Sequence, residues 1–203
     1  MVRVKICGIT TIEDARQAVA AGADWIGLNF YPASPRSVDP DRAREIVTVL
    51  GKRVQIVGVF VNASRSEVQE IVESVGLDLL QFHGDESPSY CSGWPRPVIK
   101  ALRMRGREDL DRAQAYRVDY LLVDAHASGH YGGTGKTVDW ALVGAWKPPA
   151  KLILAGGLDP DNVAEAVRIV RPFGVDVASG VERRPGQKDP VKMRRFIENA
   201  KAA

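Results

Sequence analysis

The sequence predicts an α/β chain folded as a (β/α)8 TIM barrel, one domain spanning residues 1–203. Three observations carry that expectation. Short β-branched runs alternate with helical patterns along the whole length. Most of those runs are continuously apolar, as strands covered on both faces must be. Eight strand–helix units would share 203 residues at about 25 each, close to the lower limit of ~200 for such a barrel. An open, doubly wound sheet fits eight successive units less well.

The predicted strands are residues 2–6, 25–28, 54–59, 79–82, 98–102, 120–123, 152–154 and 175–178. Helix starts can be read between them. Thr10-Thr-Ile-Glu13 and Ser64-Arg-Ser-Glu67 have the capping-box form, a hydroxyl at the N-cap and a carboxylate three residues on. Asp39-Pro40, Asp159-Pro160 and Asp189-Pro190 each set an N-cap acid before a proline, which is suited to the first helical position. Val163, Ala166, Val167 and Val170 form an apolar stripe at helical spacing. Shorter helices are expected near 89–92, 108–116 and 139–145. Ser34-Pro35-Arg36 and Trp94-Pro95-Arg96-Pro97 read as loops inside the domain. No linker, low-complexity segment or convincing internal repeat interrupts the pattern.

Composition narrows the function classes. A net charge of +3 suits anionic small molecules but is too weak and dispersed for nucleic acid. No apolar run approaches the ~20 residues that span a bilayer, and nothing resembles a signal peptide. Two cysteines, Cys7 and Cys91, cannot build a disulfide framework. The expectation is a cytoplasmic protein with reduced thiols, acting on a small anionic molecule, with no nucleic-acid or membrane partner, as a monomer or homodimer.

In this fold chemistry belongs to the carboxyl ends of the strands. Those positions hold Cys7-Gly8, Asn29 to Arg36, Phe60-Val61-Asn62, His83-Gly84-Asp85, Arg103, Asp124, Gly156-Gly157 and Ser179-Gly180. The stretch from Leu121 to Trp140 is the most telling: an apolar strand ends on Asp124, then runs into a glycine-rich loop. A nucleotide-triphosphate loop is excluded there, because the glycine required five residues before Gly135-Lys136-Thr137 is His130. His126 and His130 have a metal-like spacing, but Gly129 and the glycines that follow argue against one helix, so no metal is expected.

Six motifs in order resemble the phosphoribosylanthranilate isomerase family. They are Lys5-Ile-Cys7-Gly-Ile-Thr10, Ser34-Pro-Arg36, Gln81-Phe-His83-Gly84, Gly132-Gly-Thr-Gly135 with Asp139-Trp140, Leu154-Ala-Gly-Gly157-Leu, and Asp176-Val-Ala-Ser179-Gly180-Val-Glu182. The similarity runs from residue 5 to Pro185-Gly-Gln-Lys-Asp189. Phe82, Val138 and Ala178 depart from the residues common in the family. The resemblance implies a cofactor-free Amadori rearrangement in tryptophan biosynthesis. It would convert N-(5-phosphoribosyl)anthranilate to 1-(2-carboxyphenylamino)-1-deoxyribulose 5-phosphate.

The resemblance also implies roles. Cys7 matches the general base that removes the C2 proton, and Asp124 the general acid that opens the ribose ring. A buried structural cysteine is the commoner fate of a thiol; the strand-end position favours the base for Cys7, while Cys91 keeps the structural reading. Alternation puts Lys5 and Cys7 on one face of the first strand. Arg36 matches the residue that holds the anthranilate carboxylate, and its planar fork suits bidentate binding. His83 is a rim residue near substrate or equally a structural histidine. Gly156, Gly157, Ser179 and Gly180 follow strands seven and eight, where such barrels commonly bind phosphate. Gly133, with Thr134 and Gly135, is expected in a lid. Two other readings compete: the histidine-pathway isomerase, disfavoured by a cysteine on strand one, and a non-catalytic phosphosugar-binding barrel, which need not keep both Cys7 and Asp124.

Overall fold

A computed structural model describes residues 1–104, 106–124 and 140–203. Eight parallel strands close into a barrel in chain order: β1 (Arg3–Cys7), β2 (Trp25–Asn29), β3 (Gln55–Phe60), β4 (Leu79–Phe82), β5 (Val98–Arg103), β6 (Tyr120–Asp124), β7 (Lys151–Ala155) and β8 (Gly174–Val177). Outside them lie α1 (Ile12–Ala20), α2 (Pro40–Leu50), α3 (Arg65–Val75), α4 (Arg107–Ala113), α5 (Trp140–Ala145), α6 (Val163–Val170) and α7 (Pro190–Ala202). The predicted strands all form, with ends shifted by one residue in most cases. A short hairpin, β9 (Glu182–Arg184) with β10 (Gln187–Lys188), follows β8 and had no counterpart in the expected pattern.

Several start signals act as expected. Ser64 and Glu67 close a reciprocal capping box on α3. Asp39 accepts from Arg42 N, and Asp189 from Val191 N and Lys192 N. Three expectations need correction. The cap of α1 is Thr11, which accepts from Asp14 N at 3.0 Å; Thr10 Oγ1 instead donates to Gly186 O at 2.6 Å, so its hydroxyl serves the hairpin. Asp159 caps a turn rather than a helix: its Oδ1 takes Asp161 N and Asn162 N, and α6 starts only at Val163. No helix forms near 89–92; β4 is followed by turns, and Cys91 packs into the core from them. In that space Lys100, on the outward face of β5, donates to Gly84 O and Glu86 Oε2 at 2.7 Å each.

Alternation along the strands divides the apolar residues into two sets. The outward set, including Val4, Ile26, Ile56 and Val175, packs against the helices. The inward set, Trp25, Val57, Leu79, Ile99, Leu122 and Ile153, fills the barrel with Tyr120 and Phe173 packed against it. Parallel strands have no tight hairpins to set register, and a one-residue slip would turn every side chain to the wrong face. Here acids at the amino end help to fix it. Asp24 Oδ2 accepts from Val4 N at 2.9 Å, Asp78 Oδ2 from Ile56 N at 2.8 Å, and Asp119 Oδ2 from Val98 N at 2.8 Å. Each precedes an even-numbered strand and clips the odd-numbered strand before it.

Candidate active site

The carboxyl ends of the strands surround a cavity of ≈ 480 Å³. It brings together Cys7, Arg36, His83, Asp124, Gly156, Gly157, Ser179 and Gly180, every described residue to which the sequence assigned a catalytic or substrate-binding role; Asn62, Asp85 and Arg103, also at strand ends, do not line it. Gly133, the remaining site residue, lies outside the described residues, as do His126, His130, Thr134 and Gly135.

Cys7 and Asp124 end β1 and β6 and both line the cavity. Burial pushes the Cys7 thiol up from its ordinary value, and the Lys5 ammonium pulls it back without cancelling the rise. Cys91 is pushed up to about 11, chiefly by burial. His83 Nε2 faces Asp124 Oδ2 at 3.7 Å, and the Gln81 amide lies 2.9 Å from the other ring nitrogen. Gln81 itself is buried beneath.

Arg36 is held more firmly than its loop position suggested. Its Nε and Nη2 donate to Glu182 Oε1 and Oε2 at 2.8 and 2.7 Å. Glu182 Oε1 also takes Lys188 Nζ at 2.9 Å. Burial would raise the Glu182 carboxyl, but bonds from Arg36 and Lys188 hold it below the ordinary carboxylate value. The side-on fork of Arg36, its Nε and Nη2, is therefore occupied by Glu182. Gly8 makes room for the stem: at φ +71°, a Cβ there would stand 2.6 Å from Arg36 Cδ.

Across the mouth, Gly156 and Gly157 take φ of +85° and +64°, backbone that L side chains rarely adopt. Asn162 Nδ2 donates to Gly157 O at 2.9 Å and steadies the turn. Gly180, in the 3₁₀ turn Ser179–Val181, lies so close to Leu158 O that no Cβ could fit. The two glycine turns thus pack against each other at the edge of the cavity.

Sequence reasoning did not single out Glu182, Lys188 and Asn162. Glu182 and Lys188 lie in the motifs quoted above, but only the hairpin brings them to Arg36. With Asp159 as N-cap, Asn162 would fall in the first helical turn; it is instead the N-cap residue of α6.

The family profile of N-(5'-phosphoribosyl)anthranilate (PRA) isomerase matches residues 4–199. A curated relative of that name from Pseudomonas fluorescens is 55% identical over 201 residues, covering 97% of this chain and 94% of its own. One from Citrifermentans bemidjiense is 51% identical over 201 residues, covering 99% and 98%. The crystal structure of phosphoribosyl anthranilate isomerase from Thermotoga maritima superimposes with a TM-score of 0.94 at 44% identity, all of each chain covered. Another, described as a complex with reduced 1-(o-carboxyphenylamino)-1-deoxyribulose 5-phosphate, gives 0.88 at 41% identity, again with full coverage. Agreement of this extent, in sequence and in the course of the backbone, places the chain in the N-(5'-phosphoribosyl)anthranilate isomerase family.

Proposed function

We propose that the mouth of this barrel catalyses the Amadori rearrangement of N-(5-phosphoribosyl)anthranilate to 1-(2-carboxyphenylamino)-1-deoxyribulose 5-phosphate, a step of tryptophan biosynthesis. The single observation that carries the mechanism is a thiol and a carboxyl group on β1 and β6 lining the same cavity, whose rim is the paired glycine turns. The chain works as one domain, and the cytoplasm is where its substrate would be met.

Asp124 holds a proton at the start and gives it to the furanose ring oxygen. The bond from C1 to that oxygen breaks, and the nitrogen lone pair completes the Schiff base. Cys7, as thiolate, then takes the proton from C2; the electrons left behind form the C1–C2 double bond of the enolamine, which tautomerises to the ketone. No redox partner is needed by this scheme. Substrate phosphate is held at Gly156, Gly157, Ser179 and Gly180 by backbone N–H groups. The end-on edge of Arg36 holds the anthranilate carboxylate, and His83 positions Asp124. The solved relative bound to a reduced product analogue supports a phosphorylated ligand of this class.

The test is direct. Freshly made phosphoribosylanthranilate should lose its fluorescence when purified protein is added without cofactor. Retention of the signal at wild-type protein concentrations well above catalytic levels would reject the activity.

A further inference from the structure

The scheme gives no task to the ion pair buried directly beneath the thiol. Lys5 is fully buried, and its Nζ donates to Asp176 Oδ1 at 2.9 Å. Such a pair loses the hydration of both ions and stabilises a fold no better than well-packed apolar residues would. Its neighbours in the barrel interior below are apolar. Lys5 and Cys7 lie two residues apart on one strand face, and they converge over Gly27, the β2 partner of Cys7. A Cβ on Gly27 would lie 2.9 Å from Cys7 Sγ and 3.0 Å from Lys5 Nζ, so ammonium and thiol are at most about 6 Å apart. Any side chain at Gly27 would part them.

We propose that Lys5 is a positioning residue for the isomerisation: its ammonium, anchored by Asp176, stabilises the Cys7 thiolate that removes the C2 proton. This rests on the reading of Cys7 as the base. As the C2–H bond breaks and S–H forms, Lys5 keeps its own proton and supplies only charge. The charged and titratable groups around the thiol are Lys5 on β1, Asp176 on β8, Arg36 after β2, and Glu182 and Lys188 in the hairpin, with His83 and Asp124 across the cavity. Among the first five, three cations face two carboxylates. Arg36 and Lys188 both spend hydrogen bonds on Glu182, whereas Lys5 stands beside the thiol and is the strongest single counterweight to its burial.

The experiment reads the thiol itself. Alkylation of Cys7 by iodoacetamide is followed by mass spectrometry, which resolves it from Cys91, across a pH series in wild type and Lys5→Met. The Lys5→Met thiol should titrate at least about one pH unit higher, leaving about tenfold less thiolate at neutral pH. Turnover should fall with it and recover as pH rises, while KM stays within about threefold. Lys5→Gln, whose amide can still donate to Asp176, should show the same shift if Lys5→Met does not fold. Overlapping alkylation profiles in a folded variant would overturn the proposal. If Cys7→Ala kept full turnover, the base reading would fail instead, and the alkylation comparison would still decide whether Lys5 tunes the thiol.

Discussion

At its amino end the barrel is filled by Trp25, Val57, Leu79, Ile99, Leu122 and Ile153, closed off by Tyr120 and Phe173. At its carboxyl end several of the same strands, joined by β1 and β8, present Lys5, Cys7, Gln81, His83, Asp124 and Asp176. The lower half buries apolar area, at roughly 1.5–3 kcal/mol for each large side chain removed from water. The upper half buries ions, whose pairing little more than offsets their lost hydration. One half keeps the barrel closed so that the other can hold groups that would not by themselves keep it folded.

That division can be broken by experiment. The largest effects should come from Asp124→Asn and Cys7→Ala, each lowering kcat by ~10²–10⁴ with much smaller changes in KM. Asp124→Asn should be the more severe, because the ring cannot open without a proton. Thermal midpoints should barely move, and near-normal turnover in either variant would remove its residue from the mechanism. Ile153→Ala should do the reverse. Its side chain is fully buried in the lower half, so unfolding in urea should show a loss of about 2–5 kcal/mol. The folded fraction should turn over at close to the wild-type rate; a collapse of kcat at unchanged stability would mean the lower half is no mere support.

Arg36 tests the boundary. Arg36→Met removes a charge-assisted contact, so KM should rise about ten- to a hundredfold, from roughly 1.5–3 kcal/mol. Normal substrate binding by that variant would refute the carboxylate role. The smallest effect is in pH dependence. Both Glu182, in the mouth, and Asp24, at the amino end, have carboxyls held below their ordinary values, by Arg36 and Lys188 in one case and by Val4 N and Arg3 in the other, against burial. A depressed carboxyl stabilises the fold above its unfolded value and loses that contribution as pH falls through its folded one. Urea midpoints should therefore drop on acidification below the ordinary values of 4.5 and 3.8. Glu182→Gln should flatten part of that drop, and an unchanged acid slope would show that the Arg36 clamp adds nothing to stability.

The eight strands were legible because strands covered on both faces are mostly apolar, even though Lys5, Gln81, Lys100 and Asp176 interrupt four of them. Strand ends then supplied Cys7, Asp124 and the glycine turns. Local rules failed where a side chain had a distant partner. Thr10 looks like a cap but is drawn to Gly186, 176 residues away. The segment after β4 carries turn residues and Cys91, and its position is set by the bond that Lys100 of β5 gives to Glu86 within it. Arg36 could be picked out only through its motif, and its clamp not at all, since Glu182 lies 146 residues away in a hairpin too short to have a periodicity. Lys5 was visible as sharing a face with Cys7, but its partner on β8 was not.

The acids Asp24, Asp78 and Asp119 have a consequence for how the chain can be divided. Each joins an even-numbered strand to its odd-numbered predecessor, so the first six strands form three couples, each carrying its own alignment mark. Pieces cut between couples, after β2 or β4, keep every mark within a single piece; a cut between β1 and β2 separates Asp24 from Val4. Two-piece versions of the protein should reassemble best when the seam respects the couples. Loops at the mouth, far from the marks, can then be exchanged without disturbing how the strands line up.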